Sequence, residues 1–235
     1  MSVSPITVLY EDNHLIIVNK KTGDIVQGDK TGDIPLSEYV KQYIKEKYQK
    51  PGEVFLGTVH RIDRPVSGLV IFARTGKALE RINKMFQDKA IKKSYWAIVK
   101  NQPPKETDHL THYLLKNEKQ NKSYTYDEPF GKALKSELIY KVLAASDKYF
   151  LLAIDPLTGR HHQIRAQLAA IGCPIKGDLK YGFNRSNEDG SIHLHARAIR
   201  FQHPVSKEEI IVTAPVPDEV LWNYFDKQLT QQISI

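Results

Sequence analysis

Residues 60–75 read HRIDRPVSGLVIFART. A polar loop containing Pro65 and Gly68 runs directly into residues 68–74 (GLVIFAR), a run apolar enough to be a buried strand. Thr75 then suits a helix N-cap, because its hydroxyl can accept an otherwise unpaired amide of the first turn. Ala78, Leu79, Ile82, Met85 and Phe86 follow at helical spacing on one face, and Lys77, Arg81, Lys84 and Lys89 take the other. Working outward, residues 6–10 and 15–18 predict a strand pair around the polar turn Glu11-Asp12-Asn13-His14. Gly23, Gly28 and Gly32 mark a loop. Leu36, Tyr39, Val40, Tyr43, Ile44 and Tyr48 then predict a helix that Pro51-Gly52 ends.

On the other side, residues 94–99 (SYWAIV) predict a strand, and residues 136–145 with 149–154 a hairpin around Ser146-Asp147-Lys148. Ile164, Leu168 and Ile171 suggest a short helix closed by Gly172. Strands are expected at residues 192–201 and 209–213, and a last helix near residues 219–227. Strands outnumber helices and adjoin through short turns, which predicts an α+β fold on a largely antiparallel mixed sheet flanked by helices and loops. No repeat or linker is visible, so one catalytic domain over residues 1–235 is expected. The polar stretch 103–130 reads as a surface excursion toward a partner, or equally as a solvated hairpin or loop.

The 235 residues are 41% hydrophobic and 26% charged, near the average for soluble globular proteins. Lysine and arginine number 34 against 27 acidic residues, a net charge of +7 that suits a polyanionic partner without requiring one. Cys173 is the only cysteine, which excludes an intrachain disulfide and a multi-thiolate zinc site and points to a reducing compartment. The opening residues lack the basic start and apolar run of a signal peptide. The apolar stretches fall well short of the ~20 residues that span a bilayer. A cytoplasmic protein with no membrane segment is expected.

Three segments carry chemistry. In the first, Asp63 lies between Arg61 and Arg64 on a loop feeding a strand, where cations favour an ionised carboxylate fit to act as nucleophile or base. The same residues also suit an Asx-type turn before Pro65 with both arginines in solvent. In the second, TGRHHQIRAQLAAIGCPIKGDLKYG (residues 158–182), Arg160, His161, His162, Gln163 and Arg165 precede or open the predicted helix, whose N-terminal amides suit an anion. Gly177, Asp178 and Tyr181 follow in a loop, and a plain helix start with a Gly-rich turn would also account for this pattern. In the third, IKKSYWAIV (residues 91–99), Tyr95 follows Lys92 and Lys93, so a ring can stack on an extruded base while the lysines hold phosphates. Tyr95 could equally be an ordinary strand aromatic, as Trp96 on the opposite face is expected to be. His161 and His162 are adjacent and His193 and His195 alternate, yet no complete ligand set is evident. No metal is expected, and the histidines are read as hydrogen-bonded residues at an RNA surface.

Together, HRIDRPVSGLVIFART, KKSYWAIVKN and TGRHHQIRAQLAAIGCPIKGDLKYG resemble the signature regions of the RluA-type pseudouridine synthases. VLYEDNHLIIVNKKTG and IHLHARAIRFQHP resemble that family's first and last strands, so the resemblance covers nearly the whole chain in order. It implies a pseudouridine synthase fold and the isomerisation of specific uridines in ribosomal or transfer RNA by base flipping. Asp63 then matches the catalytic aspartate, Tyr95 the tyrosine that stacks on the uracil, and Arg165 the arginine that pairs with the carboxylate. Arg61 matches the residue that helps extrude and replace the target base, and Ile164 and Leu168 belong to the apolar surround. Arg64, Lys92, Lys93, Arg160 and His162 are the remaining expected RNA contacts. The resemblance leaves open whether Asp63 bonds to C1′ or takes a proton from C2′.

Ile62, Val66 and Gln167 depart from the Leu, Thr and His usual in the family, and Lys21-Thr22 from Pro-Ala. The small RNA-binding domain that precedes the catalytic domain in many relatives is expected to be absent. The reaction is redox-neutral, so no cofactor is expected, and no P-loop sequence is present. The expected partner is structured RNA, bound by a monomer. Two other classes fit parts of the pattern: an RNA-binding module without activity, and a base-excising glycosylase that would release free uracil.

Overall fold

The computed structural model describes residues 6–29 and 31–233; the reading of residues 1–5 lies outside them. The chain forms two compact units, one from Met1–Lys93 with Ala196–Pro215 and the other from Ser94–His195 with Val216–Ile235.

In the first unit, β1 (Thr7–Glu11) pairs antiparallel with β2 (Leu15–Lys20). Asp12 makes the turn between them, its Oδ1 accepting the amides of His14 and Leu15 at 2.7 Å each. β2 pairs with β4 (Ser67–Ala73), the run predicted from GLVIFAR, and β3 (Gly57–Thr58) lies on the other edge of that strand. Every residue of β4 is buried, which is why the run is continuously apolar rather than alternating. The long α1 (Leu36–Lys47) buries Leu36, Val40 and Ile44. α2 (Gly76–Gln87) is capped as predicted, Thr75 Oγ1 accepting the amide of Ala78 at 3.2 Å, with Ala78 and Ile82 buried and Lys77, Arg81, Lys84 and Lys89 exposed.

The second unit is built on β5 (Lys92–Val99), β6 (Thr107–Asn117), β7 (Lys122–Tyr126), β8 (Leu134–Ala145) and β9 (Phe150–Pro156), in the order β5-β9-β8-β6-β7 with every pair antiparallel. α3 (Gln163–Ala170) ends where Gly172 takes a φ of 76°, as predicted. The chain returns to the first unit within β10 (Leu194–Gln202), which pairs antiparallel with β11 (Glu209–Thr213), and the last helix, α4 (Val220–Ile233), outruns its predicted end. Trp222 and Phe225 of α4 fill a core with Ile98, Ala144 and Leu151, on which Trp96 packs. The fold is α+β with a mostly antiparallel sheet, as expected.

Two local expectations change. The polar stretch 103–130 is mainly the β6–β7 hairpin, one of the two readings offered for it, but not a solvated one: its inner positions Leu110, His112, Leu114 and Ser123 are buried. Buried Gln167 of α3 holds it, donating to the carbonyl oxygens of Leu110 (3.3 Å) and Ser136 (3.1 Å) and contacting His112 Nδ1 at 3.1 Å. His193 and His195 are core residues rather than surface ones: both are buried, and their rings pack on Trp222. His193 is nonetheless fully hydrogen-bonded, to Glu219 at 3.0 Å and Asn187 at 2.9 Å.

Candidate active site

Asp63 lies half-buried on the loop between β3 and β4. The turn expected around Pro65 is present and closed by the main chain, the Val66 amide donating to Asp63 O at 3.0 Å. The loop is anchored at both ends. Ahead of Asp63, the Ile71 amide donates to His60 Nε2 at 3.0 Å, and the His60 ring packs on Phe86. Burial, with the charge of Lys93 nearby, pushes the His60 pKa down to about 3, so this imidazole is neutral at physiological pH. After Asp63, Ile62, Val66 and Ser67 are buried, and Gly68 takes a φ of 112°. A Cβ there would lie 2.6 Å from the Ala196 amide nitrogen of β10, so glycine is required on two counts.

Lys20, at the end of β2, supports the same loop from below. It is 1% exposed, and its Nζ donates to the carbonyl oxygens of Lys21 (2.8 Å), Asp24 (2.8 Å) and Arg64 (3.2 Å). Burial lowers its pKa to about 8, against the pull of the negative charges on Asp24 and Asp63. Arg64 reaches back to another loop, with Nη1 2.7 Å from Asp33, Nη2 3.7 Å from Asp29, and a bond to Thr31 Oγ1. Arg61 and Lys92 are exposed. Lys93 lies over the Phe86 ring at 5.6 Å, and burial lowers its pKa.

In the second unit, Tyr95 is half-buried on β5 opposite Ile154 of β9, on the face away from Trp96. Arg165 is buried on the first turns of α3. It makes a bidentate pair with Asp178, Nε to Oδ2 at 2.7 Å and Nη2 to Oδ1 at 2.9 Å, while its guanidinium lies over the Tyr181 ring. Tyr181 extends the assembly: its hydroxyl accepts the Ser123 amide at 2.9 Å and meets His162 Nδ1 at 3.1 Å. His162 precedes α3 with a φ of 53° and stacks on His161, which bonds to Ser123 Oγ and Asn121. Gln163 draws in the chain ahead of the helix, its Oε1 accepting from Thr158 Oγ1 and from the amide of Arg160. Ile164 and Leu168 are buried. The second unit therefore gathers Arg165 and His162 in one buried network, and Arg160 sits exposed at its edge. Among the described residues, no group of three or more His, Cys, Asp or Glu side chains could hold a metal ion.

Sequence reasoning did not assign roles to Lys20, Asp178 or Tyr181. A lysine closing the apolar run LIIVNK was the available signal for the first, since a strand buried on every side has no place for a free charge. Nothing in spacing pairs Asp178 with Arg165.

The family profile described as RNA pseudouridylate synthase matches residues 14–170 and so takes in Asp63, Tyr95 and Arg165. The chain is a member of the RluA-type RNA pseudouridylate synthase family. Among relatives of this family member, ribosomal large subunit pseudouridine synthase C of Vibrio parahaemolyticus is 33% identical over 219 residues, covering 91% of this chain and 66% of the relative. The protein of the same name from Buchnera aphidicola is 32% identical over 217 residues, covering 89% and 66%. The chain thus spans slightly under two thirds of the length of these curated relatives. Two solved structures share the fold: human RNA pseudouridylate synthase domain containing 4 (TM-score 0.78, 21% identity, 95% of this chain and 93% of that one) and domain containing 1 (0.71, 23%, 92% and 86%).

Proposed function

We propose that this chain converts specific uridines in RNA to their carbon-linked isomer, with Asp63 as the essential carboxylate. The supporting observation is that the family match, over residues 14–170, spans the positions of Asp63, Tyr95 and Arg165. The bond from C1′ to N1 breaks, the base turns, and C5 attaches in its place. Cleaving a glycosidic bond builds positive charge on the sugar, and a carboxylate on an anchored loop stabilises that charge at no cost of reorganisation. The target must leave its stack, at a cost of a few kcal/mol, and Arg61 is exposed and suited to fill the gap. Tyr95 stacks on the extruded uracil, and Arg165 orients the catalytic carboxylate. Lys92 and Arg160, both exposed, meet RNA directly. Arg64, Lys93 and His162 contact RNA after exchanging some of their present partners.

Residues 1–235 act as one catalytic domain, in a cytoplasmic monomer that uses no cofactor. No helix among the described residues is long and apolar enough to cross a membrane. The names of the relatives favour large-subunit ribosomal RNA as substrate. Asp63→Asn tests the reading: tritium release from uridine-labelled RNA falls to background while RNA binding persists. Substantial isomerisation by the purified variant, or free uracil among the wild-type products, overturns it.

A further inference from the structure

Cations also gather in the first unit, away from the Asp63 loop. Lys77, Arg81 and Lys84 stand at i, i+4 and i+7 along the exposed face of α2, in one stripe with ~6 Å and ~4.5 Å of rise between successive residues. Facing them across an open groove of about 1220 Å³ is the turn 203–208, which contributes Pro204, Val205 and Lys207.

That turn is rigidly built. His203 Nδ1 accepts the amides of Val205 at 3.2 Å and Ser206 at 2.9 Å, its own amide donates to Glu208 O at 2.7 Å, and its Nε2 lies 2.8 Å from Asp12 Oδ2. Lys207 takes a φ of 66°, a left-handed conformation uncommon for a lysine. Its Nζ turns back to donate to Pro204 O at 3.3 Å, the same oxygen that receives Arg81 Nη1 at 3.4 Å. Two cations thus converge on one neutral carbonyl oxygen. Among the described residues no carboxylate forms an ion pair with Lys77, Arg81 or Lys207, and Lys84 pairs with the solvent-exposed Asp88. Glu80 also lines the groove, so four cations there face one carboxylate and the surplus is positive. Like charges held this close repel, and an anion placed between them removes the repulsion.

We infer that the groove between α2 and the 203–208 turn is a track for the phosphate backbone of RNA flanking the target uridine. A stripe of single charges on a helix, with a second fixed cation across the groove, matches a polymer that carries an anion at every residue. Its contacts position the nucleic acid without reading its sequence. The identity of the polyanion rests on the isomerase reading above; the groove and its charges do not.

The test measures binding of transcribed large-subunit ribosomal RNA by the full chain across a salt series. One variant carries Lys77→Gln, Arg81→Gln, Lys84→Gln and Lys207→Gln. A control removes the same charge at exposed lysines elsewhere, through Lys45→Gln, Lys50→Gln, Lys132→Gln and Lys148→Gln. Neutralising one phosphate-binding cation flattens the slope of log Kobs against log salt by about 0.7 on a single strand to about 0.9 on a duplex, so the groove variant is expected to be shallower by up to roughly 2.8–3.6. The control shifts little, and swapping the groove lysines for arginine and Arg81 for lysine retains the wild-type slope. Equal slopes and affinities for groove variant and control overturn the inference, leaving the isomerase reading intact if wild-type protein still releases tritium. Groove-dependent binding by a wild-type protein that isomerises nothing overturns that reading and leaves the track standing.

Discussion

Lys20 gives the protein a pH dependence whose sign follows from its burial. An unfolded lysine holds its proton up to about pH 10.5, whereas the folded Lys20 releases it near 8. Between those values the unfolded chain binds more protons, so stability increases as pH rises through the window and is lower on the acidic side. At about 1.36 kcal/mol per unit, the full displacement is worth roughly 3 kcal/mol, and most of it is gained by pH 10. The three carbonyl partners remain bonded, since a neutral amine still donates hydrogens. Urea unfolding of wild type and Lys20→Met from pH 7.5 to 10 isolates this contribution, because the other lysines titrate alike in both proteins. The range stops at 10 because Tyr10, raised to about 12 by burial and by Asp12, loses stability above the ordinary tyrosine pKa. The difference between the two proteins is expected to move by about 2–3 kcal/mol in favour of wild type as pH rises. A difference that stays flat from pH 8 to 10 refutes the claim that this ammonium is buried and charged at neutral pH.

Asp178→Ala removes the bidentate partner of the buried Arg165 guanidinium and is expected to cost about 3–5 kcal/mol in chemical denaturation; a loss below 1 kcal/mol contradicts the pairing. His60, with a folded pKa near 3, is expected to show no ring titration by NMR between pH 5 and 8, and its contribution to stability fades as pH falls below the ordinary 6.5. A midpoint near 6.5 rules out a neutral His60 accepting the Ile71 amide. Gly68→Ala forces a side chain into the backbone of Ala196 at positive φ, and a melting temperature lowered by less than about 4 °C, under ~2 kcal/mol for a chain of this size, argues against that close approach.

The regular elements were legible where pattern and environment agree. In β4 an unbroken apolar run meets burial on both faces, and in α2 the Thr75 cap and the apolar stripe mark both start and orientation. β6 escaped because its inner face is only partly apolar: His112 sits between Leu110 and Leu114 and is made acceptable by Gln167 from α3. That rescue is long-range, and a reading along the chain sees only a polar stretch. The same limit applies to the candidate site. Asp63, Tyr95 and Arg165 were identified through motifs, whereas Lys20 and Asp178 owe their roles to partners that the fold supplies. Buried charge is the common thread, because its compensation is set by neighbours in space rather than in sequence.

Neither compact unit is continuous in sequence, and this constrains how the protein can be made. The core around Ile98 and Leu151 remains open until Trp222 and Phe225 arrive, so a ribosome must translate past residue 225 before that unit can close. Until then the β8–β9 hairpin exposes its apolar face in a nascent, unfinished protein. Removing α4 is therefore a deletion from the middle of a core, and a chain stalled or clipped before residue 222 is a substrate for chaperones and proteases rather than a shorter folded protein.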